Sequence, residues 1–210
     1  MKIAMLLYDR FTALDAIGPY EVLSRLPGAT VHFVAAETGE IRTDTRMVGV
    51  TADLSLDELP DPEIVVVPGG YGTRALLDDE RILDWLRTAH STSQWTTSVC
   101  TGSLLLGAAG LLEGLRATSH FLYLDRLATF GAQVTDQRVI EQGKIITAAG
   151  VSSGIDMALH LASRIAGETI AQAIQLVIEY DPAPPFDAGH PAKVDQEIVD
   201  LVRRRARVPA

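Results

Sequence analysis

Short apolar runs alternate with amphipathic stretches along this chain. Lys2 to Tyr8 is an apolar run of strand length, and Thr30 to Ala35 and Glu63 to Val67 repeat the pattern. Between the first two, Asp15 to Arg25 has helical spacing, with Gly18-Pro19 near its start, where proline is tolerated. Glu40 to Val50 reads as a hairpin or small excursion. Asp79 to His90 predicts a helix with Ile82, Leu83, Leu86 and Ala89 on one apolar stripe. Trp95 to Val99 predicts a strand stopping at Cys100, and Thr101 to Ala109 a helix closed by Gly110. His120 to Thr129 predicts a further helix, and Arg138 to Thr147 two strands about a Gln142-Gly143 turn. Ser152 to Ile165 and Thr169 to Ile178 predict two more helices. Strands alternating with helices imply an α/β fold, a doubly wound and mostly parallel sheet with helices on both faces.

Length and composition narrow the picture. The 210 residues, 47% hydrophobic and 21% charged, suit one globular domain with a sizeable core. That domain is expected over residues 1–180. Residues 181–210, with Pro182, Pro184, Pro185 and Pro191, read as an extended arm followed by a short helix from Val194 to Arg205. The arm is expected to pack on the same domain or wrap a partner subunit, which favours a homodimer. A net charge of −9 disfavours nucleic acid and anionic membranes as partners, because phosphate-binding surfaces need excess Lys and Arg. The apolar start, Ile3 to Tyr8, is too short for a signal peptide, and Leu104 to Leu112 is too short for a bilayer span. A cytoplasmic location is therefore expected.

The chain has one cysteine, which excludes an intrachain disulfide and a cysteine-based zinc site. The bland reading of a lone cysteine is a small buried hydrophobe. The surroundings of Cys100 point elsewhere. In Thr97-Ser98-Val99-Cys100-Thr101-Gly102-Ser103 a strand ends on the cysteine and a helix of small residues begins at once. Such an elbow presents a nucleophile at the carboxyl end of a sheet. A helix N-terminus also favours an anion, so the thiol pKa is expected to fall.

Charge developing during attack needs hydrogen-bond donors. Pro68-Gly69-Gly70 follows a strand, and loops after neighbouring strands meet at one crevice. The Gly70 amide and the Thr101 hydroxyl or amide are the candidate donors; Gly69-Gly70 can equally be a plain tight turn. Asp15 reads either as a helix N-cap or as a carboxyl sharing one proton with the thiol. In the second role it would hydrogen-bond the thiolate and deliver a proton to substrate. No histidine adjoins Cys100. His120 starts a helix and can cap it or line the crevice, while His160 lies off an apolar stripe and reads as solvated. No metal-ligand or phosphate-loop spacing is present.

Several of these pieces together resemble the ThiJ/PfpI superfamily, relatives of the class I glutamine amidotransferases. They are Leu14-Asp15 with Gly18-Pro19, Val67-Pro68-Gly69-Gly70, Ser98-Val99-Cys100-Thr101-Gly102, Arg116-Ala117-Thr118 before His120, and Gly150 with Gly154-Ile155-Asp156. The tail from Glu179 to Gly189 is similar to that of the isocyanide hydratase branch. The resemblance covers essentially the whole chain. It implies a flavodoxin-like fold, a dimer and no cofactor. It also implies a thiolate that attacks the terminal carbon of an isocyanide, giving a thioimidate that water hydrolyses to an N-formamide. Carried over, Cys100 is the nucleophile, Asp15 its partner acid, and Thr101 and Gly70 orient or stabilise the adduct. Val151 stands where that branch has a branched apolar residue beside the cysteine.

Protease-like members place His directly after the cysteine, where this chain has Thr101, so the resemblance does not extend to peptidase activity. Members best known as redox or stress proteins carry Glu at the position of Asp15. Two other functions fit the same fold: the ligand-sensing domain of AraC-type transcriptional regulators, and another cysteine-dependent hydrolase or a glyoxalase-like enzyme. The regulators continue into a helix-turn-helix region. An acidic chain ending at Ala210 favours the enzyme.

Overall fold

Burial on both faces turns the apolar runs into strands, because a parallel sheet covered by helices leaves no face for alternating polar residues. A computed structural model of the chain describes residues 1–206. It divides into two units, Met1–Ile178 and Glu179–Ala210. In the first, the strands are β1 (Lys2–Leu6), β2 (Thr30–Ala35), β3 (Gly39–Arg42), β4 (Gly49–Ala52), β5 (Leu54–Ser55), β6 (Ile64–Val67), β7 (Trp95–Val99), β8 (Arg116–Ala117), β9 (Gln133–Val134), β10 (Val139–Gln142) and β11 (Ile145–Ala148). The helices are α1 (Ala13–Leu23), α2 (Glu80–Thr92), α3 (Gly102–Ala108), α4 (Leu124–Ala128), α5 (Ser153–Ala166) and α6 (Glu168–Val177). The second unit holds a 3-10 turn at Pro191–Lys193 and helix α7 (Gln196–Ala206), with Lys193 paired to Asp187 at 2.6 Å.

Seven strands form one sheet in the order β10-β11-β7-β6-β1-β2-β5, parallel except for the β10–β11 pair. This is the doubly wound arrangement that the alternation implies. Ile3 to Leu6 of β1 and all of β6 are completely buried, which is why both read as unbroken apolar runs. From β1 the chain moves to β2 on one side and returns to β6 on the other. The switch point therefore lies between β1 and β6, where ligands of such sheets bind at the carboxyl ends of the strands. The segments that follow β1, β6 and β7 bring Asp15 in the first turn of α1, Gly69-Gly70 and Cys100 to that edge.

Three local expectations are corrected. Helix α1 begins at Ala13 because Thr12 is extended and takes the N-cap position, so Asp15 lies within the first turn and is not a cap. Pro19 consequently falls inside the helix, where it removes the N–H that would bond the Asp15 carbonyl. The helix expected from His120 is split into a 3-10 turn, Phe121–Tyr123, and α4. The stretch at 40–50 is, as expected, a hairpin, the antiparallel β3–β4 pair.

The start of α3 is pressed against the end of β6. A Cβ on Gly102 would lie 2.1 Å from the Val67 carbonyl oxygen and 2.9 Å from that of Pro68. Backbone on both sides leaves no room to yield. Gly102→Ala is expected to cost about 2–3 kcal/mol, read from urea unfolding, as overpacking of a rigid site does.

Candidate active site

Cys100 stands at the end of β7 with φ +57°, in the left-handed region that side-chain-bearing residues avoid. The surroundings over-determine this conformation. Its N–H donates to the carbonyls of Ala148 (3.1 Å) and Ala149 (2.8 Å). Its carbonyl accepts from the hydroxyls of Ser103 (3.1 Å) and Ser119 (3.0 Å). Such backbone strain costs on the order of 1–3 kcal/mol and persists where a framework holds it. The residue is 5% exposed. The backbone N–H groups of Thr101 and Val151 lie near the sulfur and favour a negative charge on it. Val151 is itself at φ +21°, unusual for a β-branched residue.

Asp15 is wholly buried beside the thiol. Its Oδ2 accepts the Gly69 N–H at 2.9 Å. Its Oδ1 has no conventional hydrogen-bond partner among the described residues, and the Cys100 thiol is the side chain that engages this carboxyl. Gly69 is required by space. A Cβ there would lie 2.4 Å from the Thr101 nitrogen, 2.7 Å from its Oγ1 and 3.0 Å from Asp15 Oδ2.

Both glycine amides have other work than binding substrate. The Gly70 N–H, expected as a free donor, is given to Thr101 Oγ1 at 2.9 Å. Thr101 Oγ1 also meets Thr73 Oγ1 at 3.0 Å, and Thr73 meets the Tyr8 hydroxyl at 3.0 Å. Tyr8 donates to the Pro68 carbonyl at 2.7 Å. Tyr8 and Thr73 escaped notice in the sequence, since a tyrosine closing a strand and a threonine in a loop carry no pattern. The donors left facing the sulfur are the amides of Thr101 and Val151.

His120 lies one shell out. Its Nδ1 accepts from the Leu122 N–H at 3.3 Å, which makes it the cap of the 3-10 turn. Its ring edge rests on Gly150, where a Cβ would come within 2.8 Å of Cδ2. Burial lowers its pKa, so the imidazole is neutral. His160 is part-exposed, as expected off the apolar stripe, and in addition its Nε2 meets Glu141 Oε2 at 2.6 Å, with Arg164 joining the same carboxylate at 3.1 Å.

The ionisation of the pair departs from the expected fall in thiol pKa. Burial pushes the Cys100 thiol well above its ordinary value, and the neighbouring Asp15 charge pushes it further. The Thr101 and Val151 amides pull it back only in part. Helix α3 has seven residues, and the dipole of so short a helix is outweighed by loss of water around the sulfur. Burial also raises Asp15 to about 7, against the lowering effects of the Gly69 amide and the thiol. Burial thus disfavours ionising both acids together, so the pair can share one proton. Among the described residues, no group of three or more His, Cys, Asp or Glu side chains is placed to hold a metal ion. No helix there is long and apolar enough to cross a membrane.

Residues 1–164, which include every group just described, match the DJ-1/PfpI family. The chain belongs to the DJ-1/PfpI family. Within it, the chain is 42% identical to isonitrile hydratase from Pseudomonas putida, over 98% of this chain and 90% of that protein. A crystal structure of a ThiJ/PfpI family protein from Pseudomonas syringae superimposes with a TM-score of 0.90 at 37% identity, covering 97% of this chain and 86% of that one. The HTH-type transcriptional regulator GbdR from Pseudomonas aeruginosa is 27% identical over 86% of this chain, which spans 51% of the regulator. This DJ-1/PfpI protein therefore has the flavodoxin-like fold of its family.

Proposed function

We propose that this protein hydrates an isocyanide to the corresponding N-formamide, with Cys100 as nucleophile and Asp15 as its acid–base partner. The observation that carries this is the 42% identity, across nearly the whole of both chains, to an isonitrile hydratase. The geometry supports it. A lone cysteine is held at a strained elbow, beside a buried carboxyl whose pKa is raised to about 7. That value leaves Asp15 able both to give and to take a proton near neutrality.

The steps balance without any oxidant or reductant. The thiol proton passes to Asp15, and the sulfur lone pair forms an S–C bond to the terminal carbon of R–N≡C. Asp15 then returns that proton to the same carbon, giving the thioimidate S–CH=N–R. Water adds to this carbon while the nitrogen takes a proton, and the carbinol S–CH(OH)–NH–R collapses. The C–S bond breaks, formamide O=CH–NH–R leaves, and the thiol recovers its proton. The net change is one isocyanide plus one water. The amides of Thr101 and Val151 steady the sulfur as it gains and loses charge. Thr101 Oγ1 holds the Gly70 turn in place, and His120 supports the Gly150-Val151 loop from behind.

Water, thiol and carboxyl suffice for this chemistry, so the enzyme is a hydro-lyase that needs no cofactor. The reading includes a homodimer in the cytoplasm, and sedimentation checks the assembly. Purified protein mixed with phenyl isocyanide, with nothing added, is expected to yield N-phenylformamide over many turnovers, followed by NMR. Unchanged isocyanide in the presence of folded protein would overturn the proposal. Ligand binding without turnover would then favour a sensing role of the kind suggested by the likeness to GbdR.

A further inference from the structure

We infer that Arg74 is an anion receptor at the mouth of the Cys100 site, and that the isocyanide this protein favours carries a carboxylate. The inference rests on the hydratase reading and adds the substrate class to it.

A closed circuit of contacts runs from the thiol to Arg74 and back. On one side, Cys100 is followed by Thr101, whose hydroxyl meets Thr73 at 3.0 Å, and Thr73 is followed by Arg74. On the other side, the Val151 amide lies near the sulfur, and Val151 follows Gly150, on which His120 rests. The His120 carbonyl accepts the Tyr123 N–H at 2.8 Å, and the two rings lie 6.0 Å apart. Arg74 Nη2 closes the circuit by donating to the Tyr123 hydroxyl. Arg74 and Tyr123 are thus the outer part of a ring of residues whose inner part holds the sulfur.

Arg74 is built like a receptor without its anion. Its guanidinium lies over the Tyr71 ring (4.5 Å to the centroid) and the Tyr123 ring (5.1 Å). Its Nη1 donates to the Tyr71 carbonyl at 3.2 Å. Among the described residues it has no carboxylate partner, whereas Arg25, Arg81, Arg87 and Arg138 each pair with one. The side chain is exposed, so a ligand can reach it. A guanidinium already held over aromatic rings loses little freedom when a carboxylate docks. The guanidinium of Arg10 also lies over the Tyr71 ring, 3.9 Å from its centroid. Such charge has a purpose here. The protein carries −9 overall, so an anionic substrate needs local attraction at the entrance.

The test compares 4-isocyanobenzoate with its methyl ester, which has nearly the same shape and no charge. Wild type is expected to favour the acid in kcat/KM by about tenfold, as a charge-assisted contact gives. The KM of the acid should rise with ionic strength while that of the ester stays level. Arg74→Gln should lower the acid-to-ester ratio about tenfold, mainly through KM, and Arg74→Lys should recover part of it. Turnover of both compounds with a ratio that Arg74→Gln does not move would overturn this inference alone. If that variant does not fold, a wild-type KM for the acid indifferent to salt overturns it equally. No turnover of either compound by folded wild type would overturn the hydratase reading and take this inference with it.

Discussion

Cys100→Ala is expected to abolish formamide production, with turnover of phenyl isocyanide falling by about ten-thousand-fold or more. The size of the loss follows from the absence of any second thiol: the chain has no other cysteine. Cys100→Ser should stay close to the alanine variant, because a hydroxyl in the same buried position gives up its proton far less readily than a thiol. Folding should survive both changes. The backbone at this position is held through the Cys100 N–H and carbonyl, which every replacement except proline keeps. A near-native denaturation midpoint alongside lost turnover separates a chemical role for the sulfur from a packing role. Turnover by Cys100→Ala near that of wild type would contradict it.

Asp15→Asn should lower turnover by about a thousand-fold, within the range that a general acid–base contributes. It should also change stability in the opposite direction, and the pH dependence identifies the cause. Folding raises the Asp15 pKa from an ordinary 3.8 to about 7, chiefly through burial. The folded protein therefore holds this proton more tightly than the unfolded chain does. The stability linked to it is complete below pH 3.8 and is lost as pH rises to about 7. Asparagine keeps an acceptor for the Gly69 N–H and has no proton to lose. Relative to wild type, the variant should gain stability steadily from mildly acidic to neutral pH, by about 4 kcal/mol in all, and no further above it. Urea unfolding across that interval measures the difference. A difference that does not change with pH would mean that Asp15 is already ionised in the folded protein at low pH.

Much of the architecture was legible because the sheet is parallel and doubly covered. Ile3 to Leu6 of β1 and all of β6, completely buried, left uninterrupted apolar runs, and the small residues after Cys100 marked where α3 meets β6. The site was legible as far as chain position determines it. Asp15, Gly69-Gly70 and Cys100 follow β1, β6 and β7, which are adjacent around the switch point. Quantities set by three-dimensional surroundings were not. The direction of the thiol shift depends on how much water the site excludes, and here burial outweighs a seven-residue helix. The Gly70 amide looked free because its acceptor, Thr101 Oγ1, lies 31 residues away along the chain. The Tyr8–Thr73–Thr101 network and the Arg74–Tyr123 contact are likewise long-range, and no local pattern announces them. Pro19 misled for a different reason. Thr12 starts α1 earlier than the first acidic residue suggests, and that shift moves the proline from the first turn into the interior.

The central claim is that Cys100 bonds covalently to the isocyanide carbon during turnover. Acid quenching in the steady state, followed by mass spectrometry of the intact and digested protein, tests it directly. The enzyme should gain the full mass of one isocyanide, carried by the peptide that contains Cys100, and should lose it again once substrate is exhausted. Turnover at the normal rate with Cys100 unmodified, or an adduct on any other residue that forms and decays with turnover, would contradict it.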